Sequence, residues 1–165
     1  MRRLLPFISF FKYELLAVIS FFTSRFKIYH YAHSLGCSIS LDAVITGPLR
    51  DCLYVGSGTR INGLFNLRAK SGKLTIGNNC LIARNVTIIV NTYDLNKSVS
   101  IHSMVTKDVF IGDHCLIGSH SFIMPGVSLG DHCVVGCNSV VTKSFPSGSV
   151  ITGSPARLRS SRVCD

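Results

Sequence analysis

Histidine is the side chain best suited to move protons near neutral pH, and this chain has six. They are His30, His33, His102, His114, His120 and His132. His114 and His132 each sit in a Gly-Asp-His-Cys tetrapeptide, at 112–115 and 130–133, 18 residues apart. Two imidazoles at one repeat interval could suggest a metal. Polar residues at a recurring turn explain the pair more simply, and no metal site is expected. His102 is the only histidine of the stretch 90–108, VNTYDLNKSVSIHSMVTKD, which also holds Asn91 and Asp94. A cationic group lies nearer the C-terminus: Lys143, Arg157, Arg159 and Arg162. Lysine meets a phosphate as a point charge and arginine as a fork.

The elements that must position these groups are very short. Residues 109–144 read in sixes as VFIGDH CLIGSH SFIMPG VSLGDH CVVGCN SVVTKS. The third place holds Ile111, Ile117, Ile123, Leu129, Val135 and Val141, and the place two earlier is small or β-branched. A fixed short period of this kind marks a solenoid. Alternate residues of a strand share a face, so Val109 and Ile111 are expected inside and Phe110 outside. Gly112, Asp113 and His114 then make the corner, with glycine taking unusual backbone angles and the aspartate bonding its own backbone. Three sides close one triangular coil, and coils stack by parallel pairing. An apolar spacing of 2 and 6 with recurring glycines excludes a helix. Further up, Ile39 and Ile45 are six apart, as are Val55, Ile61 and Leu67, and then Ile76, Ile82 and Ile88. The frame slips near Gly47-Pro48. Asn78, Asn79 and Asn85 fall at corners, where asparagine tolerates left-handed angles. Between Ile88 and Ile111 the interval is not a multiple of six, so residues 90–108 must leave the coil and return. Loops on a rigid scaffold commonly carry function.

The stretch 36–157 resembles the left-handed parallel β-helix of the hexapeptide-repeat acyltransferases. It is most similar to galactoside, maltose and polysaccharide O-acetyltransferases. The resemblance rests on Ile-Gly-Ser-His at 117–120, Met-Pro-Gly-Val at 124–127, Ser-Val-Val-Thr-Lys at 139–143 and Gly-Ser-Pro-Ala-Arg at 153–157. It implies an all-β chain in which residues 36–157 form the β-helix domain. It implies acetyl-CoA as acyl donor, a homotrimer, and a sugar or cell-surface polysaccharide precursor as acceptor. It places coenzyme A contacts at Ser119, Cys137, Thr142, Lys143, Arg157 and Arg159. It puts the base at the start of the excursion. There Asp94 matches the family's aspartate, but Asn91 and Tyr93 stand where histidines are expected. His102 is the one imidazole of the excursion and the candidate to replace them. Without a base the chain would be a non-enzymatic member of the fold. A nucleotide amino-sugar as acceptor would make it an N-acyltransferase.

The remaining features bound the partners and the compartment. A formal net charge of +9 suits an anionic partner. No nucleic-acid motif accompanies it, so coenzyme A and a membrane surface explain the sign better. The seven cysteines include no Cys-x-x-Cys and are odd in number, which fits a reducing cytoplasm. Cys80, Cys115 and Cys133 fall on the small inward place, where cysteine acts as a small hydrophobe. Cys52, Cys137 and Cys164 are not placed by the pattern. Residues 1–35 differ from the rest and are expected to be helical. The run from Met1 to Phe22 is apolar with basic punctuation, yet Lys12 and Glu14 interrupt it below the roughly 18 to 20 residues of a membrane span. It either lies on the inner face of a membrane through residues 1–24 or caps the first coil. Residues 158–165 read as a basic tail.

Overall fold

The computed structural model describes residues 33, 36–40, 44–46, 52–63, 65–68, 72–94, 96, 98 and 103–162. The N-terminal helical segment expected over 1–35 lies outside these residues, except for His33. No helix among the described residues is long and apolar enough to cross a membrane.

The strands form a three-faced parallel β-helix. Face one stacks β1 (Ser38–Ile39), β4 (Arg60–Ile61), β7 (Leu81–Ile82), β12 (Leu116–Ile117), β15 (Val134–Val135) and β17 (Ser149–Gly153). Face two stacks β2 (Val44–Thr46), β5 (Phe65–Arg68), β8 (Val86–Ile89), β13 (Phe122–Ile123) and β16 (Val140–Val141). Face three stacks β3 (Leu53–Val55), β6 (Leu74–Ile76), β11 (Val109–Ile111) and β14 (Ser128–Leu129). Phe145 extends face three by a parallel bridge to Leu129. The chain visits the faces in the order one, two, three, and repeats. One further strand, β18 (Ala156–Ser161), folds back antiparallel on β17 and takes up much of the stretch expected as a basic tail.

Strands this short can only be held by burying their alternate residues. Val109 and Ile111 are buried while Phe110 is exposed, as the alternation requires. Ile39, Val55, Ile61, Leu67, Ile76, Ile82 and Ile88 are all buried at their sixfold places. The core is therefore a column running the length of the helix. Its small positions also stack. Cys80, Cys115 and Cys133 are buried, and their thiols donate to the carbonyls of Gly112 (3.1 Å), Gly130 (3.2 Å) and Pro146 (3.2 Å). Ser121 Oγ donates to Gly136 O at 2.9 Å in the same manner. No fully buried side-chain nitrogen or oxygen among the described residues lacks a partner.

The corner between faces three and one differs from expectation in two respects. The left-handed residue is the histidine, not the glycine: φ is 56° at His114 and 59° at His132. Asn79 takes the same conformation at 54°. Asp113 bonds the neighbouring coil rather than its own turn. Ser57 N–H donates to Asn78 Oδ1 (3.0 Å), Asn78 N–H to Asp113 Oδ1 (2.7 Å) and Asp113 N–H to Asp131 Oδ1 (2.8 Å). Asp131 N–H then donates to Ser147 Oγ (3.0 Å), which ends the ladder. Gly112 is needed for close approach: a Cβ there would lie 2.7 Å from Asp131 N.

Gly112→Ala should therefore destabilise the protein by roughly 1–3 kcal/mol, the usual scale of overpacking. Chemical denaturation of the two proteins measures the difference, and equal midpoints would show that the coils can separate at this corner.

Candidate functional site

The stretch 90–108 leaves the coil between faces two and three. Ladder partners are 18 residues apart at Asp113 and Asp131 but 35 apart at Asn78 and Asp113, because the excursion is inserted between them. Its base is a β-hairpin. β9 (Asn91–Tyr93) pairs antiparallel with β10 (Met104–Thr106) in the register Asn91 to Thr106 and Tyr93 to Met104. Asn91 Nδ2 donates to Thr106 Oγ1 at 3.0 Å, so the amide is oriented by the opposite strand. Asp94 N–H donates to Ser103 O at 2.8 Å, and Asp94 Oδ1 accepts from Asn96 N–H at 3.1 Å. Asp94 thus has a turn-forming role that holds with or without catalysis. His102 lies outside the described residues; Ser103, which follows it, is the backbone partner of Asp94. Tyr93 is exposed.

The residues matched to cofactor contacts divide between two corners. Ser119 and Cys137 stack at the corner between faces one and two, where Asn138 N–H donates to Ser119 O at 2.9 Å. The edge is narrow: a Cβ on Gly118 would lie 2.6 Å from Cys137 N. The next level of this column is Thr152, whose methyl faces Gly136. Thr152 pairs with Arg157 across β17 and β18, and Arg159 Nε donates to Thr152 Oγ1 at 2.8 Å. Arg157 also donates to Ala156 O at 3.1 Å. Ser119, Cys137, Arg157 and Arg159 therefore share the corner and its C-terminal cap. Thr142 and Lys143 stand at the opposite edge of face two, on the corner that emits the hairpin. Lys143 Nζ sits 5.5 Å above the Phe145 ring, a cation–π contact that places its charge. One chain does not bring the two edges together.

Two histidine readings can be placed. His114 and His132 stack with ring centroids 4.9 Å apart and planes 4° from parallel. Among the described residues no group of three or more His, Cys, Asp or Glu could hold a metal ion. His120 Nε2 lies 3.2 Å from Asn85 Nδ2 at the same corner as Ser119.

The sequence reading passed over Arg84. It lies one level before Ser119 on the same column, since His120 N–H donates to Arg84 O at 3.0 Å. The available signal was positional: Ala83-Arg84-Asn85, Gly118-Ser119-His120 and Gly136-Cys137-Asn138 occupy one place in the repeat.

Similarity to known proteins agrees with this architecture. No curated protein matches the chain in sequence. Residues 108–143 match the family model described as the hexapeptide repeat of succinyl-transferase. Among solved structures, AntD, an N-acyltransferase from Bacillus cereus in complex with dTDP and 3-hydroxybutyryl-CoA, has a TM-score of 0.66 at 21% identity. That match covers 77% of this chain and 70% of AntD, and it bears on the fold alone. A galactoside acetyltransferase in complex with coenzyme A has a TM-score of 0.54 at 30% identity, covering 76% of this chain and 64% of that one. A maltose O-acetyltransferase from Clostridium difficile has 0.51 at 26%, covering 72% and 65%. Residues 108–143 thus carry the matched hexapeptide repeat, and the chain has a β-helix fold similar to that of these solved acetyltransferases.

Of the described cysteines, only Cys137 is exposed; Cys37, Cys52, Cys80, Cys115 and Cys133 are buried. Iodoacetamide under native conditions should modify Cys137 and spare those five, as read by peptide mapping. Rapid labelling of Cys115 or Cys133 would contradict the packed column.

Proposed function

We propose that the protein is a coenzyme A-dependent acyltransferase that moves an acetyl group from acetyl-CoA to a sugar hydroxyl in the synthesis of a cell-surface polysaccharide. The observation that carries the reading is the column of Ser119, Cys137 and the Thr152–Arg159 pair along one narrow exposed corner. The corner supports a pantetheine arm laid along the coil edges, with Arg157 and Arg159 meeting phosphates, while Lys143, on the opposite edge of face two, reaches the cofactor from a neighbouring copy. The galactoside acetyltransferase of similar fold was crystallised with coenzyme A.

The acceptor hydroxyl attacks the thioester carbon, the carbon–sulfur bond breaks, and the hydroxyl proton passes through a base to the departing thiolate. His102 is the imidazole assigned to that base. Asn91, held by Thr106, orients the hydroxyl, and Asp94 shapes the end of the hairpin.

The active form is a homotrimer. Exposed apolar side chains stand on every face: Leu81 and Leu116 on one, Phe122 on two, Tyr54 and Phe110 on three. Such surfaces on a solenoid with its own core favour partners. Threefold assembly would also let the hairpin of one copy approach the column of the next. The enzyme works in the cytoplasm at the inner face of the membrane, with residues 1–24 as the peripheral contact; their deletion should abolish binding to anionic vesicles.

One observation favours a second reading, a cofactor-binding member without turnover. Asn91 stands where the resemblance implies a histidine, and an amide accepts no proton near neutral pH.

Titration calorimetry with coenzyme A and acetyl transfer by three proteins separate the readings. The wild type should bind coenzyme A, run as a trimer by light scattering, and release free thiol with a sugar acceptor. His102→Ala should lose roughly 10² to 10⁴ in turnover, the usual weight of a general base, and keep coenzyme A binding. Binding without turnover in the wild type, with turnover appearing in Asn91→His, would support the second reading. No binding of coenzyme A removes the acyltransferase reading altogether.

A further inference from the structure

The corner that carries Ser119 and Cys137 continues toward the N-terminus into a pocket of about 450 Å³. Ser38, Ser40, Asn62, Gly63, Arg84 and Ser119 line it, so it spans four successive coils. Among the described residues no carboxylate lines it. Its volume lies in the range of small-molecule sites, roughly 300–1,000 Å³. The charge in the pocket is held by a close approach. A Cβ on Gly63 would fall 2.6 Å from Cγ and 2.9 Å from Nε of Arg84, so the arginine lies directly across the glycine. Gly63 also has φ of 65°, where a side chain is disfavoured. Any residue but glycine at 63 would push Arg84 out of this position.

Arg84 makes no ion pair and no side-chain hydrogen bond with a described residue. A guanidinium laid over a pocket whose described lining carries hydroxyl and amide groups and no carboxylate is a site for an anion, and its fork matches phosphate oxygens. Hydroxyl and amide groups beside it suit a ligand rich in hydroxyls. Ser119 closes the pocket at the end where the proposed cofactor column begins.

We propose that this pocket binds a phosphorylated sugar, with Arg84 on the phosphate, and that this sugar is the acyl acceptor. The word acceptor rests on the acyltransferase reading; the anion site does not. The phosphate could belong to a nucleotide sugar or to a lipid-linked one, and the chemistry recognised at Arg84 is the same.

Calorimetric titration of the full chain, with and without saturating coenzyme A, tests this. The probes are glucose 1-phosphate, UDP-glucose, a water-soluble short-chain prenyl diphosphoglucose, and uncharged methyl glucoside. Phosphorylated probes should bind and methyl glucoside should not. Arg84→Ala should weaken them about 10- to 100-fold, the usual weight of a charge-assisted hydrogen bond. Arg84→Lys should fall between, and Arg159→Ala should leave them unchanged. Tighter binding of UDP-glucose or of the prenyl compound identifies the source of the phosphate. Equal affinity for charged and uncharged sugars, or unchanged binding in Arg84→Ala, overturns the proposal. Displacement of glucose 1-phosphate by coenzyme A also overturns it, because the pocket would then belong to the cofactor. If sugar phosphates bind but coenzyme A does not, the anion site stands and the acyltransferase reading falls.

Discussion

Coil stacking at the spacing of paired strands, roughly 4.8 Å, is the constraint on which the rest depends. Every residue lies directly over its counterpart in the next coil, so any group that fits one level must fit its neighbours. At the corner between faces three and one, Asn78, Asp113, Asp131 and Ser147 satisfy this by each accepting the backbone N–H of the coil before. The glycines at 77, 112 and 130 exist because a Cβ would strike the next level. Inside, the same rule sets small residues over small ones: the Cys80, Cys115 and Cys133 column, then Ser121 over Ser139.

This constraint decides where function can sit. The interior is filled, and most strand backbones are committed to neighbouring strands. What remains is the outward row on each face and the three corners. One corner is used for the ladder. A second emits the hairpin. The third presents Arg84, Ser119, Cys137 and the Thr152–Arg159 pair in vertical order, a track parallel to the helix axis. A long, flexible ligand with phosphates at one end matches such a track better than a globular one does.

The sequence disclosed the repeat almost completely, because the period is local. Ile111 and Leu129 are 18 apart in the chain and paired in register, and the inward residues followed from alternation alone. It disclosed the excursion as a break in frame, but not the pairing of Asn91 with Thr106, since that depends on how the loop closes. The corner chemistry was misassigned in part. Glycine's tolerance of positive φ suggested Gly112 as the left-handed residue, whereas histidine takes that conformation and glycine answers a steric need from the next coil. Thr142 and Lys143 read as neighbours of Cys137 in sequence, yet β16 places them across a face. Arg84 passed unnoticed because its meaning comes from Gly63, 21 residues earlier, which only stacking brings beneath it.

The central claim is that coenzyme A lies along the corner between faces one and two. A crystal structure of the full chain with coenzyme A tests it directly. The account predicts electron density for the pantetheine arm beside Ser119 and Cys137, with phosphates near Arg157 and Arg159. Density for the cofactor on the ladder corner at Asp113 and Asp131, or on an outward face away from that column, would contradict it.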